Sequence, residues 1–353
     1  LYLWDLGGRD GEQIKRFFIG IQRNKSIKEV YFVDGILNDG FAVMNLPHVT
    51  TITCEHQPGC DNAHYFALGL RRCKSLKEYY GLTTAEIVAS LSTLPKLEHV
   101  RIYSDQRLRR DECVALRELL SNTNQLKDLN LQCMGLEDEG LELLAEGFAH
   151  NSSLTDVLNL ANNNIGDRGV QALALSLERN ESLRHVDLSN ENFGALRYNN
   201  NIGDKGVGAL AESLVHNAAL RVLSVSGNTS ITGTGVRAIS RILQSHKSGL
   251  EKLYLDRINL GDDGGKILAG ALSINTSLVY LSLCSGSIGD DGLRALASGL
   301  SRNSTLHELD FSGNAALTAA GLHSLKRYFR SPSCALKTLF IFDINFGDEG
   351  AYA

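Results

Sequence analysis

The chain has 353 residues, 43% of them hydrophobic and 21% charged, a balance typical of soluble proteins with a continuous core. A net charge of −5 and a pI near 6.1 argue against a dedicated nucleic-acid binder, which carries a basic excess. No apolar run approaches the ~18–20 residues of a membrane-crossing helix, so no membrane partner is expected.

The chain begins at Leu1 without methionine and stops inside a repeat at Ala353, so it reads as a fragment. Gly11–Gln22 has the pattern of a helix from an incomplete first unit. Strand starts follow at Ile27, Val49, Leu76, Leu97, Leu126, Leu154, Leu183, Leu220, Leu250, Leu278, Leu306 and Leu336. The spacing is loose over 1–96 and settles near 28 residues over 97–353. A fixed period of this size marks a solenoid. About twelve strands in one solenoid spanning 1–353 are expected.

Each unit changes period halfway. In Leu278-Val279-Tyr280-Leu281-Ser282-Leu283 apolar and exposed positions alternate, as a half-buried strand requires. From Gly292 to Leu300 the apolar spacing becomes i, i+3, i+4, i+7, one face of a helix. Ile288-Gly289-Asp290-Asp291-Gly292 turns the chain between them, with aspartate expected to cap its own helix. A unit of ~28 residues cannot close a core, because ordering its backbone costs about 1–2 kcal/mol per residue. Stacking must supply the rest. A parallel sheet then lines the inside of a curved stack, with the wider helices outside.

Leu158-Asn159-Leu160-Ala161-Asn162-Asn163-Asn164-Ile165-Gly166-Asp167-Arg168-Gly169-Val170 resembles the leucine-rich repeat proteins, specifically the ribonuclease-inhibitor-like subclass. The resemblance covers essentially the whole chain. It implies an α/β leucine-rich repeat solenoid, a horseshoe with the sheet concave and the helices convex. Similar units occur in NOD-like receptors, in Ran GTPase-activating proteins and in stand-alone protist and algal proteins. The resemblance therefore implies binding and leaves the activity open.

Three departures stand out. The asparagine that closes the strand survives as Asn163, Asn228 and Asn314, and is replaced by Asp105, Met134, Ile258, Gly286 or Ile344 elsewhere. A weakened internal asparagine ladder is the expectation. Leu154-Thr155-Asp156-Val157-Leu158 carries one extra residue, which predicts a bulge. The unit from Leu183 is nine residues over-long, with the surplus at Glu191–Asn199 between strand and helix. Loops so placed often serve partners, although a tolerated insertion explains it as well.

Few constellations suggest chemistry. Cys54, His56, Cys60 and His64 are metal-ligand types at close spacing, but they match no zinc pattern, and a core cysteine with surface histidines is expected. Gly261-Asp262-Asp263-Gly264-Gly265-Lys266 fails the phosphate-loop spacing, since Leu260 and Ile267 hold the required glycine and hydroxyl positions. The glycine–aspartate loops lack calcium-loop spacing, and Arg107-Leu108-Arg109-Arg110 reads as a solvated run. No catalytic set, metal or cofactor is expected, and an enzyme is the least favoured class. Seven cysteines without a framework point to a reducing compartment, hence the cytoplasm. Of four glycosylation sequons, at Asn151, Asn228, Asn275 and Asn303, three fall at one turn of the repeat that has its own structural reason to exist.

The strand register turns Glu29, Glu55, Glu78, Asp128, Asp187, Asp256, Glu308 and Asp310 outward, against Arg101 and Lys252. Eight acids against two bases exceed the net charge of −5 of the whole chain, so the imbalance gathers on the concave sheet. Such a surface steers basic partners and repels phosphate backbones. Tyr31, Tyr80 and Tyr103 share it toward one end, and Tyr254, Tyr280, Phe340 and Phe342 toward the other. The expected function is a protein-interaction scaffold that binds a basic protein partner. The candidate contacts are Tyr254, Tyr280, Asp256, Glu308, Asp310, Asp187, Asp128 and Tyr103. The alternatives are a GTPase regulator of the Ran-activator type and the ligand-sensing repeats of a NOD-like receptor.

Overall fold

The computed structural model describes residues 1–4, 10–33, 39–54, 63–103, 107–190, 198–331 and 334–344. The chain divides into two compact units, 1–163 and 164–353.

In the first unit, strands and helices alternate: β1 (Tyr2–Trp4), α1 (Gly11–Ile21), β2 (Glu29–Val33), β3 (Thr51–Cys54), α2 (Ala63–Leu70), β4 (Glu78–Leu82), α3 (Ala85–Leu91), β5 (His99–Tyr103), α4 (Arg110–Asn122), β6 (Asp128–Asn130), α5 (Glu137–His150) and β7 (Val157–Asn159). A short 3-10 turn, Asp39–Val43, stands in the helix position between β2 and β3. Neighbouring strands pair in parallel and in chain order. The second unit continues with α6 (Asp167–Arg179), β8 (His185–Asp187), α7 (Asp204–Leu214), β9 (Val222–Ser224), α8 (Gly233–Gln244), β10 (Lys252–Tyr254), α9 (Gly261–Leu272), β11 (Tyr280–Ser282), α10 (Asp290–Leu300), β12 (Glu308–Asp310), α11 (Ala319–Phe329) and β13 (Thr338–Phe340). β8 to β13 likewise pair in parallel and in order. The described residues thus hold thirteen strands. Twelve match the expected starts, and β1 belongs to the incomplete unit before them.

The alternation follows the leucine spacing. Val30, Ile52, Tyr79, Val100, Leu129 and Leu158 occupy the middle strand position in the first unit and are at most 1% exposed. Val186, Leu223, Leu253, Leu281 and Leu309 do the same in the second. Burying each such side chain contributes about 1.5–3 kcal/mol. Tyr79 is far larger than leucine, and Gly81 makes room for it: a Cβ there would lie 3.0 Å from the Tyr79 hydroxyl and 3.0 Å from Cys54 Cβ. Where the units are short and irregular, phenylalanines take the leucine role. Phe18, Phe32, Phe41 and Phe66 meet with ring centroids 5.3–5.9 Å apart along four of their contacts, three of them edge-on at 5.6 Å or less.

Polar side chains tie unit to unit, and here the sequence expectation needs correction. In the Gly-Asp-x-Gly turns aspartate does not cap its own helix; α6, α7 and α10 start at Gly166, Gly203 and Gly289 with no side-chain cap. Asp167 Oδ1 instead accepts from Gly203 N (2.7 Å) and Gly206 N (2.9 Å), at the start of the following helix. Asp262 accepts from Gly289 N and Gly292 N in the same way, at 2.8 and 2.9 Å. Asp204 takes Thr232 N and Gly235 N, each at 2.8 Å, and Thr232 Oγ1 at 2.6 Å. Each carboxylate therefore satisfies helix-start amides one repeat away, where negative charge is also favoured by the helix dipole. The glycine in the Asp-x-Gly pattern leaves space for the carboxylate: a Cβ on Gly235 would sit 2.6 Å from Asp204 Oδ1.

A second ladder runs along the helix ends. Asn217 Nδ2 donates to Leu177 O (2.7 Å) and Asn180 O (3.0 Å), while its Oδ1 accepts from Ala219 N and Leu220 N. Asn151, Asn275 and Asn303 repeat the arrangement. This is the structural reason for the Asn-x-Ser/Thr turn. Asn228 is fully buried too, its Nδ2 donating to Leu188 O and Val225 O. At all four sequons the nitrogen that a glycan would need is hydrogen-bonded and the asparagine is at most 5% exposed.

The strand-closing asparagine ladder is fuller than the sequence suggested. Asn163, Asn228 and Asn314 accept from Met134 N, Ile202 N and Ile288 N. Asn200 joins them, accepting from Ile165 N at 3.0 Å and donating to Leu188 O. Where asparagine is missing, the backbone carbonyl at that position accepts: Met134 O from Leu108 N, and Gly286 O from Leu260 N. The extra residue before β7 is absorbed at the strand start. Pairing of β6 with β7 begins only at Leu129↔Leu158, one position later than His99↔Asp128 in the preceding pair.

Candidate functional site

No helix among the described residues is long and apolar enough to cross a membrane. Among the same residues, no group of histidine, cysteine and acidic side chains could hold a metal ion. Cys54 is buried and His64 exposed, while His56 and Cys60 lie outside the described residues. The same holds for Glu55, Asp105 and most of the 191–199 insertion. On the helix side, a groove of about 590 Å³ separates α6 from α7, lined by Leu175, Gly208 and Ala209 with Glu178, Lys205 and Glu212 around them.

The strand face of the second unit collects most of the candidate residues, and register fixes their order. One row reads Asp187, Ser224, Tyr254, Ser282, Asp310, Phe340 across β8 to β13. The row before it reads His185, Val222, Lys252, Tyr280, Glu308, Thr338. Tyr254 and Tyr280 stand diagonally, with ring centroids 4.9 Å apart and planes tilted by 38°. Both rings are half-buried; Tyr254 lies between the almost fully buried Ser224 and Ser282, and Tyr280 between Lys252 and Glu308. Burial, followed by the carboxylates of Asp256, Glu308 and Asp187, raises the Tyr254 phenol above its ordinary pKa. Burial is also the main cause that lifts Tyr280 to about 12, with Asp310 and Asp256 adding to it. The tyrosines thus sit in the field of four carboxylates.

Those carboxylates are not equivalent. Asp256 was expected as a free contact, but its side chain brackets three strands. It accepts from Ser226 Oγ (3.2 Å), from Ser282 Oγ and from Cys284 N (2.9 Å). Its first duty is therefore structural, and a ligand would compete with three internal donors. Asp187 and Asp310 each spend one oxygen on the amide two residues on, Ser189 N and Ser312 N, both at 2.9 Å. Their second oxygens have no hydrogen-bond partner among the described residues. Asn130 and Asn159 hold Gln132 N and Ala161 N by the same turn. The signal was present in the sequence as Asp/Asn at the strand's last position, two residues before the amide it holds. His185 is held below its ordinary pKa, first by burial and then by Lys252, against the pull of Asp187.

The first unit's strand face is differently composed. Tyr2 stacks on Tyr31 at 4.5 Å with planes 10° apart. Tyr80 and Thr51 both donate to Glu78 Oε2, at 3.3 and 3.2 Å. Tyr103 is 39% exposed, and the Arg101 guanidinium lies over its ring at 5.1 Å. Asp128 is half-buried, and burial raises its pKa against the opposing effect of His99. Tyr103 and Asp128 are thus already occupied or shielded. In the second unit Phe340 and Phe342 lie 6.1 Å apart, Phe342 being 66% exposed.

Comparison with known proteins agrees with this architecture. The Leucine Rich repeat family model matches residues 150–174, 195–211, 216–240, 275–297 and 302–326. The chain is 32% identical over 236 residues to NACHT, LRR and PYD domains-containing protein 12 of Mus musculus, a match covering 67% of this chain and 21% of that protein. It is 31% identical over 245 residues to ribonuclease inhibitor of Sus scrofa, covering 69% of this chain and 51% of the inhibitor. The chain therefore spans about a fifth of the one relative and about half of the other. A chain in the crystal structure of the Rad7 and Elc1 complex in yeast superposes with a TM-score of 0.50 at 17% identity, covering 92% of this chain and 82% of that one. That likeness concerns the fold. Repeats of this kind are in the main binding scaffolds rather than catalysts. The chain is a leucine-rich repeat protein, with units of the ribonuclease-inhibitor-like kind.

Proposed function

We propose that the chain is a protein-interaction scaffold whose second unit binds a basic protein segment on its strand face. The observation that carries this reading is the Tyr254–Tyr280 pair, set among Asp187, Glu308 and Asp310. Half-buried aromatics beside charge are the usual anchors of an interface. In the three outward rows from β8 to β13, Lys252 is the one lysine or arginine, so the local field favours cations. Asp256 contributes charge while holding the strands together. Asp128 and Tyr103 belong to a separate face in the first unit, where Arg101 offsets the acids.

The test is binding of arginine-rich peptides, followed by fluorescence anisotropy at low and at high salt. Tyr254→Ala with Tyr280→Ala should weaken binding by about 2 kcal/mol, roughly thirty-fold, and added salt should weaken it further. Unchanged affinity in the double variant removes the pair from the account.

The NACHT relatives favour a second reading, in which the chain is the ligand-sensing repeat region of a larger receptor. That reading requires a nucleotide-binding module in the full-length gene product. It expects nucleotide hydrolysis by that product to change when the basic partner is added.

A further inference from the structure

The row across the second unit's sheet has a pattern that says more about the partner than its sign of charge. Read along hydrogen-bonded neighbours it is Asp187, Ser224, Tyr254, Ser282, Asp310. It is acid, small, aromatic, small, acid. Strands in a sheet lie about 4.8 Å apart, so each carboxylate stands two strands, or about 9.6 Å, from the central tyrosine. A polyproline II chain has three residues per turn and rises about 3.1 Å per residue, so residues three apart share one face and lie about 9.3 Å apart, close to that spacing.

Resting on the function proposed above, we infer that the face takes a segment in the polyproline II conformation laid across the strands, with cationic side chains at positions i, i+3 and i+6. The central cation lies on the Tyr254–Tyr280 rings, and the outer two meet Asp187 and Asp310. Three features support this placement. Ser224 and Ser282 are short and at most 8% exposed, so neither rises between the tall groups. Asp187 and Asp310 each bind the amide two residues on, and the second carboxylate oxygen has no hydrogen-bond partner among the described residues. Lys252 lies beside Tyr280 in the preceding row and bars a cation from that side, which confines the segment to this row. A guanidinium suits the central position, because it stacks flat on an aromatic face and is weakly hydrated.

The experiment uses three synthetic peptides of equal composition and charge, with glycine and serine between the arginines. In one the arginines stand at i, i+3 and i+6; in the others they stand at i, i+2, i+4 or side by side. Titrated against the full chain, the first should bind at least tenfold tighter than either of the others. Asp187→Asn and Asp310→Asn should each weaken it three- to tenfold, and should leave the side-by-side peptide nearly unaffected. Circular dichroism of the variants confirms that they fold. Equal, salt-sensitive affinity for all three peptides would overturn the spacing while leaving the basic-partner reading intact. Absence of binding by every peptide, at low salt and micromolar protein, overturns both.

Discussion

The irregular repeats over 1–103 and the regular ones over 164–344 bury their strand centres equally well, but their units cohere by different chemistry. The first set relies on size. Phe18, Phe32, Phe41 and Phe66 form one edge-on cluster, and Tyr79 replaces a leucine at the price of a glycine at 81. The second set relies on directed polar bonds, with one asparagine ladder at the strand ends, another at the helix ends, and an aspartate ladder at the helix starts. Aromatic packing tolerates variable unit length because it is not directional. Hydrogen-bond ladders do not, since each donor must meet an acceptor one period away at a fixed distance. Regular spacing and polar ladders therefore occur together.

The comparison is broken most directly by removing a rung. Asn217→Ala leaves the Leu177 and Asn180 carbonyls and the Ala219 and Leu220 amides without their partner in a site 8% exposed. Unpaired buried groups cost about 1–3 kcal/mol each before relaxation, so a net loss of about 3–5 kcal/mol is expected. Urea unfolding followed by tryptophan-independent far-UV circular dichroism measures it. A loss under about 1 kcal/mol would mean that packing, and not the ladder, sets the stability of these repeats.

A smaller effect is expected where glycine makes room for the aspartate. Gly235→Ala places a Cβ 2.6 Å from Asp204 Oδ1 and 2.7 Å from Ile231 Cγ2. Crowding of this kind costs about 1–3 kcal/mol. Gly208→Ala on the neighbouring helix meets nothing within 4 Å, and alanine is the better helix former by up to about 1 kcal/mol. The two variants should therefore shift the thermal midpoint in opposite directions.

These contrasts also mark what the sequence could disclose. The leucine spacing gave the strand centres and the outward rows, because burial depends on local alternation alone. The destination of a polar side chain depends on a neighbour about 28 residues away, and a repeat shows only that the residue recurs. The aspartate of the Ile288–Gly292 turn was therefore assigned to its own helix, whereas Asp290 accepts from Thr318 at the start of the next. Asn200 was missed for another reason: the surplus of nine residues separates it from Leu188, and only deleting them brings it into line with Asn163. Asp256 was read as free, although Ser226 and Ser282 on the flanking strands hinted at its role. The tyrosine pair was legible from register, whereas its tilt and its nearness to four carboxylates were not.

Acid titration gives the gentlest test, and its sign follows from the folded carboxyls. Burial would raise Asp204, but hydrogen bonds from Thr232 Oγ1, Thr232 N and Gly235 N outweigh it and hold the group below its ordinary value. Asp290 behaves alike through Thr318. A carboxyl depressed on folding stabilises the fold above its unfolded pKa of about 3.9, and that contribution is lost as pH falls through the lower folded value. In the first unit, Glu98 is depressed by exposed Lys127 and Lys77, and Asp128 is raised by burial. The Glu98 effect is mainly one of exposed ion pairs, which salt screens, and a raised carboxyl favours the fold on acidification. Below about pH 4 in high salt, amides of 164–344 should therefore lose hydrogen-exchange protection before those of 63–163. The reverse order would show that the aspartate ladder is not what holds the regular repeats together.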